Sequence, residues 1–84
     1  MSEPFFLATL EKNSREDCRI ALDEYKGRTL IDVRVWADFA AGPVATRCAT
    51  KKGVALDVSR LPDLIAALEA ARDEAERRGL LNAP

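Results

Sequence analysis

The hydrophobic pattern of this chain changes period once, near Ser59, and that change constrains the fold more than any other feature. Before it, apolar residues recur at every second position; after it they recur at about 3.6. In 17–23, Cys18, Ile20 and Leu22 alternate with Arg19, Ala21 and Asp23. In 29–36, the β-branched Ile31, Val33 and Val35 alternate with Leu30, Asp32, Arg34 and Trp36, the pattern of a strand packed on one face only. A third run over 44–50 sets Val44, Thr46 and Cys48 against Ala45, Arg47 and Ala49, and Val54, Leu56 and Val58 mark a short fourth. Between them lie residues of reversal: Tyr25-Lys26-Gly27-Arg28, a hairpin loop over 38–43 with Ala40-Ala41-Gly42-Pro43, and a basic turn at Thr50-Lys51-Lys52-Gly53.

Beyond the change, Leu61, Leu64, Ile65, Leu68, Ala71 and Ala75 fall on one helical stripe, with Asp63, Glu69, Asp73, Glu74 and Arg77 off it. Ser59 is the expected N-cap, Pro62 suits the first turn and Gly79 the stop. The expected class is α+β: a four-stranded antiparallel sheet followed by one C-terminal amphipathic helix. A single helix covers only one sheet face within a monomer, so the other face is wet, used or shared with a second copy. The first residues, with Phe5, Phe6, Leu7 and Leu10, have no clear period. They are open to three readings, a short strand or a helix packed on the domain or an N-terminal arm (1–11), ahead of a domain over 12–79 and a short tail over 80–84.

Size sharpens this expectation. A chain of 84 residues holds one domain with a thin core, and 14 of its apolar residues are alanines that bury little. Cys18 and Cys48 offer one bridge at best and there is no histidine, so the usual zinc patterns are excluded. Self-association is the remaining way to complete such a core, and a homodimer is expected. The start at Met1-Ser2-Glu3-Pro4 has no secretory leader pattern, and no apolar run is long enough to span a bilayer. A reducing cytoplasmic setting is expected, with both cysteines as thiols.

Net charge is −1, yet its distribution is uneven. Between Tyr25 and Lys52 six bases (Lys26, Arg28, Arg34, Arg47, Lys51, Lys52) face two acids (Asp32, Asp38), a basic island in an otherwise acidic chain. Catalysis is disfavoured. The commonest acid–base residue is missing, Glu16-Asp17 and Asp23-Glu24 are neighbours that point to opposite strand faces, and no glycine-rich phosphate loop is present. No enzyme activity, cofactor or metal is expected. Single-strand binders instead combine a cationic track with aromatic faces for bases. Tyr25 beside Lys26 and Arg28, Trp36 on the face of Arg34, and the pair Lys51-Lys52 are residues of that kind.

The string Tyr25-Lys26-Gly27-Arg28-Thr29-Leu30-Ile31-Asp32-Val33-Arg34 resembles the aromatic-Lys-Gly-basic-x-hydrophobic-Ile-Asp-Ile/Val-Arg segment of the transcriptional positive cofactor 4 family. Thr50-Lys51-Lys52-Gly53-Val54-Ala55-Leu56 is similar to that family's basic-Lys-Gly-Ile-Ser-Leu strand entry, and Lys12-Asn13-Ser14-Arg15-Glu16 with Arg19-Ile20 to the lead-in of its bacterial members. The resemblance covers residues 12–78. It implies four curved antiparallel strands and a C-terminal helix in a homodimer that binds single-stranded DNA or melted duplex. It also implies a role as a transcription regulator or coactivator, in contact with the transcription machinery, at the nucleoid in a bacterium. Tyr25 takes the place of a base-stacking aromatic; Lys26 and Arg28 match the backbone-contacting bases either side of the turn glycine; Arg34 matches the family's strand arginine and Lys52 the lysine before its second glycine, with Lys51 beside it; Trp36 lies near the family's strand-end aromatic. Asp23 and Glu24 depart from the pattern by placing acid beside the basic turn, and the hairpin over 37–49 is longer and more apolar than usual. RNA as the ligand, or a protein partner on the same strands, are the alternatives.

Overall fold

The computed structural model of the protein describes residues 3–39 and 46–81. Four strands, β1 (Phe5–Asn13), β2 (Glu16–Tyr25), β3 (Arg28–Phe39) and β4 (Thr46–Asp57), form one antiparallel sheet in chain order. A 3-10 turn over Val58–Arg60 leads into α1 (Leu61–Arg77). The α+β reading is therefore correct, and the strands number four, but two were divided wrongly in sequence.

The runs over 44–50 and 54–58 are parts of a single strand. Thr50-Lys51-Lys52-Gly53 is not a turn; it lies inside β4, where the ladder to β3 continues on both sides. Isolated glycine in a strand marks a bulge as readily as a turn, and here the bulge is what forms. The count of four is restored by Phe5–Asn13, the segment without a period, which pairs along β2 with irregularities at Phe6/Ala8 and Glu11/Asn13. Two shifts of register in nine residues explain why no alternation was visible there. Asp38 and Phe39 extend β3 rather than opening a loop, while residues 40–45, including the expected loop 40–43 and Val44, lie outside the described residues.

Register confirms the face assignment made from alternation. Leu22 pairs with Ile31, Ile20 with Val33 and Cys18 with Val35, and β4 continues the row with Leu56 and Val54. The opposite face carries Ala21 against Asp32, Arg19 against Arg34 and Asp17 against Trp36. Among the described residues only Ala21, Ile31 and Asp17 are buried. The core is thin, and among the described residues the helix does not bury itself against the sheet. The helix buries none of its residues, Ile65 and Leu68 being 50% and 60% exposed.

The helix start also differs from expectation. Ser59 sits within the 3-10 turn and donates its backbone N–H to Asp57 Oδ1 at 3.0 Å, so Asp57 provides the cap. Arg60 occupies the N-cap of α1 without a side-chain capping bond, with Pro62 in the first turn as expected. At the other end Gly79, at φ 72°, closes a Schellman arrangement in which Leu80 N–H bonds Ala75 O and Gly79 N–H bonds Glu76 O.

Candidate nucleic-acid interface

Tyr25-Lys26-Gly27-Arg28 forms a two-residue hairpin between β2 and β3, with Tyr25 paired to Arg28. Lys26 (φ 52°) and Gly27 (φ 76°) both take positive φ, as a turn whose twist matches the strands requires. Asparagine or glycine normally fills the first of these positions, since a side chain at positive φ is strained. Lysine there is unusual, and it projects a charge from an exposed tip. Its ammonium lies 5.3 Å from the Tyr25 ring centroid, and Tyr25 is 60% exposed. Arg28 is highly exposed, with Nε 3.5 Å from an Asp57 carboxylate oxygen. The bonds Asp57 accepts from Ser59, helped by the Arg28 charge, hold its carboxyl below the ordinary range.

Lys51 and Lys52 are exposed on β4, and among the described residues neither has a carboxylate ion-pair partner. They belong to the level of Arg34 and Trp36 on β3, six residues beyond Arg28. At the rise of an extended strand this is about 20 Å from the hairpin tip. The structure therefore brings the sequence-selected residues together as two groups, one at the tip and one beside the bulge.

Arg34 and Trp36, at the level of the second group, are engaged within the sheet. The Arg34 guanidinium forks onto Asp32, with Nη2 2.9 Å from Oδ1, and gives Nη1 to the Thr50 carbonyl at 3.0 Å. Trp36 is half-buried. Phe6 meets its ring edge-on at 5.6 Å between centroids, and the Arg19 guanidinium lies 4.4 Å over it. Arg19 is itself tied to Asp17, Nε to Oδ1 at 2.8 Å. Asp17, almost fully buried, also takes Arg47 Nη1 at 2.7 Å, and Arg47 reaches Asp38 (2.7 Å) and the Ser14 carbonyl (2.9 Å). Bonds from Arg19 and then Arg47 hold the Asp17 carboxyl below the usual carboxylate range. Bonds from Asn13 and Lys12, with a smaller contribution from the Lys52 charge, do the same for Glu16.

Phe6, Asp17 and Arg19 were not selected from sequence. Alternation within β2 gave Arg19 its face, but the neighbour across the strand depends on register, which the pattern of one strand does not contain. A division by residue type emerges. Arg19, Arg34 and Arg47 build the sheet's polar face by pairing with aspartates, whereas Lys51 and Lys52 are exposed.

Among the described residues no helix is long and apolar enough to cross a membrane. No curated protein matches the chain. Among solved structures it is similar to the PC4 homolog BPSL1147 of Burkholderia pseudomallei in two crystal forms, each with a TM-score of 0.72 and 24% identity. The tetragonal form is matched over 83% of this chain and 98% of that one, the orthorhombic form over 86% and 93%. At that identity the likeness establishes the fold. The sequence model described as Transcriptional Coactivator p15 (PC4) matches residues 12–67, a span that holds the hairpin tip, the β4 lysines and the start of the helix. With motif, strand order and fold in agreement over most of its length, the chain belongs to the PC4 family.

Proposed function

We propose that this chain binds single-stranded DNA as a homodimer and regulates transcription, with Tyr25, Lys26, Arg28, Lys51 and Lys52 meeting the strand. Trp36 and Arg34 support this surface from the sheet beside the two lysines. The family is nucleic-acid-binding and non-enzymatic, and the chain serves as a binding module without a cofactor. The observation that carries the reading is the hairpin tip: an exposed aromatic ring beside a lysine held at positive φ, where a neutral asparagine would fit with less strain. Exposed rings stack on any base, and lysines track phosphates without reading sequence, so binding has little sequence preference.

Two apolar surfaces favour the homodimer. One is the helix stripe with Ile65 and Leu68; the other is the sheet row with Val54 and Leu56, which are 51% and 36% exposed. Neither is covered among the described residues, and a second copy covers both.

Titration of labelled oligo-dT at several salt concentrations tests the site. Lys26→Asn keeps a residue at ease with φ 52° and removes only the charge, so it should leave the melting midpoint at or above wild type. It should also lower the slope of log K against log salt by about 0.7, as should Lys52→Ala. Tyr25→Ala should weaken binding by about 1–3 kcal/mol with the slope unchanged. Unchanged binding in all three variants would remove these residues from the interface.

A further inference from the structure

The β3–β4 ladder is interrupted at one place. Between the pairs Arg34–Gly53 and Trp36–Ala49, β3 advances two residues while β4 advances four, and Lys51-Lys52 lie in the extra length. A stretch looped out of a ladder is ordinarily loose, because its backbone groups have no partners across the sheet. This one is bonded at three points. Arg34 Nη1 donates to the Thr50 carbonyl at 3.0 Å, and Arg34 is itself fixed by the forked pair with Asp32. The Thr50 hydroxyl donates to the Val35 carbonyl at 2.8 Å and accepts the Lys52 backbone N–H at 3.1 Å. Gly53 closes the bulge at φ 153°, with β3 so near that a Cβ there would lie 2.4 Å from the Val33 carbonyl oxygen.

We infer that Asp32, Arg34, Thr50 and Gly53 form a clamp whose purpose is to hold the bulge of β4 so that Lys51 and Lys52 are presented together to the phosphates of a bound strand. Given the reading of the chain as a single-strand binder, Thr50 and Arg34 are positioning residues that act on nucleic acid through the two lysines. Thr50 is central because its one hydroxyl bridges the strands and caps the lysine backbone. The arginine makes its carbonyl bond from a side chain about three-quarters shielded from solvent, whereas both lysines are exposed. Preorganisation of this kind lowers the ordering cost that two long flexible side chains otherwise impose on binding.

The test compares Thr50→Val, which keeps shape and removes the hydroxyl, with Thr50→Ser, which keeps the hydroxyl. Each is made in the full chain and in a Lys51→Ala/Lys52→Ala background, and binding to oligo-dT is titrated over salt. Thr50→Val should weaken binding several-fold and lower the salt slope by up to about 1.4, the worth of two phosphate contacts, while Thr50→Ser retains wild-type values. In the double-alanine background Thr50→Val should have no further effect. A loss just as large in that background, or wild-type binding by Thr50→Val, would overturn the clamp while leaving the single-strand reading intact. Hydrogen exchange of the Lys52 amide provides a ligand-independent readout. The clamp predicts faster exchange in Thr50→Val and wild-type exchange in Thr50→Ser; equal protection in all three would overturn it. Wild-type protein that binds no oligo-dT sinks the functional reading, and the exchange result then decides the clamp alone.

Discussion

Asp17 shows how a single carboxylate can carry much of a small sheet. It joins Arg19 on its own strand to Arg47 on β4, and through Arg19 it supports the ring of Trp36. Its folded-state pKa lies below the ordinary value of 3.8, so the unfolded chain takes up the proton first as pH falls. The stability this group contributes is thus fully present above that value and is lost as pH drops through the folded pKa. Glu16, Asp57 and Glu74 have shifts of the same sign, the last from Arg77 and then Arg78. The urea midpoint should therefore be nearly flat from about pH 5 to 8 and fall below about pH 4. Asp17→Asn should lower the midpoint at pH 7 and make the acid fall shallower. A variant with the wild-type midpoint at both pH values would show that Asp17 contributes nothing.

At the scale of elements, β2, β3 and the helix were legible in sequence because each obeys one period from end to end. Ile31, Val33 and Val35 fall on one face of β3 and Leu61 to Leu68 on one stripe of α1, as expected. The alternation of β1 and the continuity of β4 are hidden from the sequence for one physical reason. β1 conceals its alternation behind two register shifts, and β4 conceals its continuity behind the bulge at 50–53. Bulges are tertiary facts: a glycine that lets two backbones approach and a glycine that turns a chain are the same letter. Of the site, the hairpin tip was legible from Tyr25-Lys26-Gly27-Arg28 alone, since its contacts are local. The setting of Trp36 among Phe6 and Arg19 was not, because it is assembled from three strands. The helix leads to its own prediction. Leu68 is 60% exposed in the isolated chain, so Leu68→Asp costs little within one copy. If the stripe is a dimer surface, that variant should keep its helical circular dichroism and sediment as a monomer. A Leu68→Asp protein that remains a dimer would place the interface elsewhere.

The molecule is flat, 45 × 36 × 18 Å, and large apolar side chains such as Val54, Leu56, Ile65 and Leu68 are exposed on it. Its near-zero net charge conceals a separation of roles, with Arg19, Arg34 and Arg47 tied to aspartates in the sheet and Lys26, Lys51 and Lys52 exposed. Nucleic-acid binding by a nearly neutral protein then depends on a few placed cations and rings rather than on bulk charge, so it should be modest in salt dependence and selective for strands whose bases are exposed. Sedimentation of the wild-type chain alone and with oligo-dT, duplex of the same length, or oligo-U tests this most directly. The account predicts a two-copy species in the absence of ligand that carries oligo-dT at low salt and holds duplex far more weakly. A one-copy species, or binding of duplex equal to that of the single strand, would contradict it.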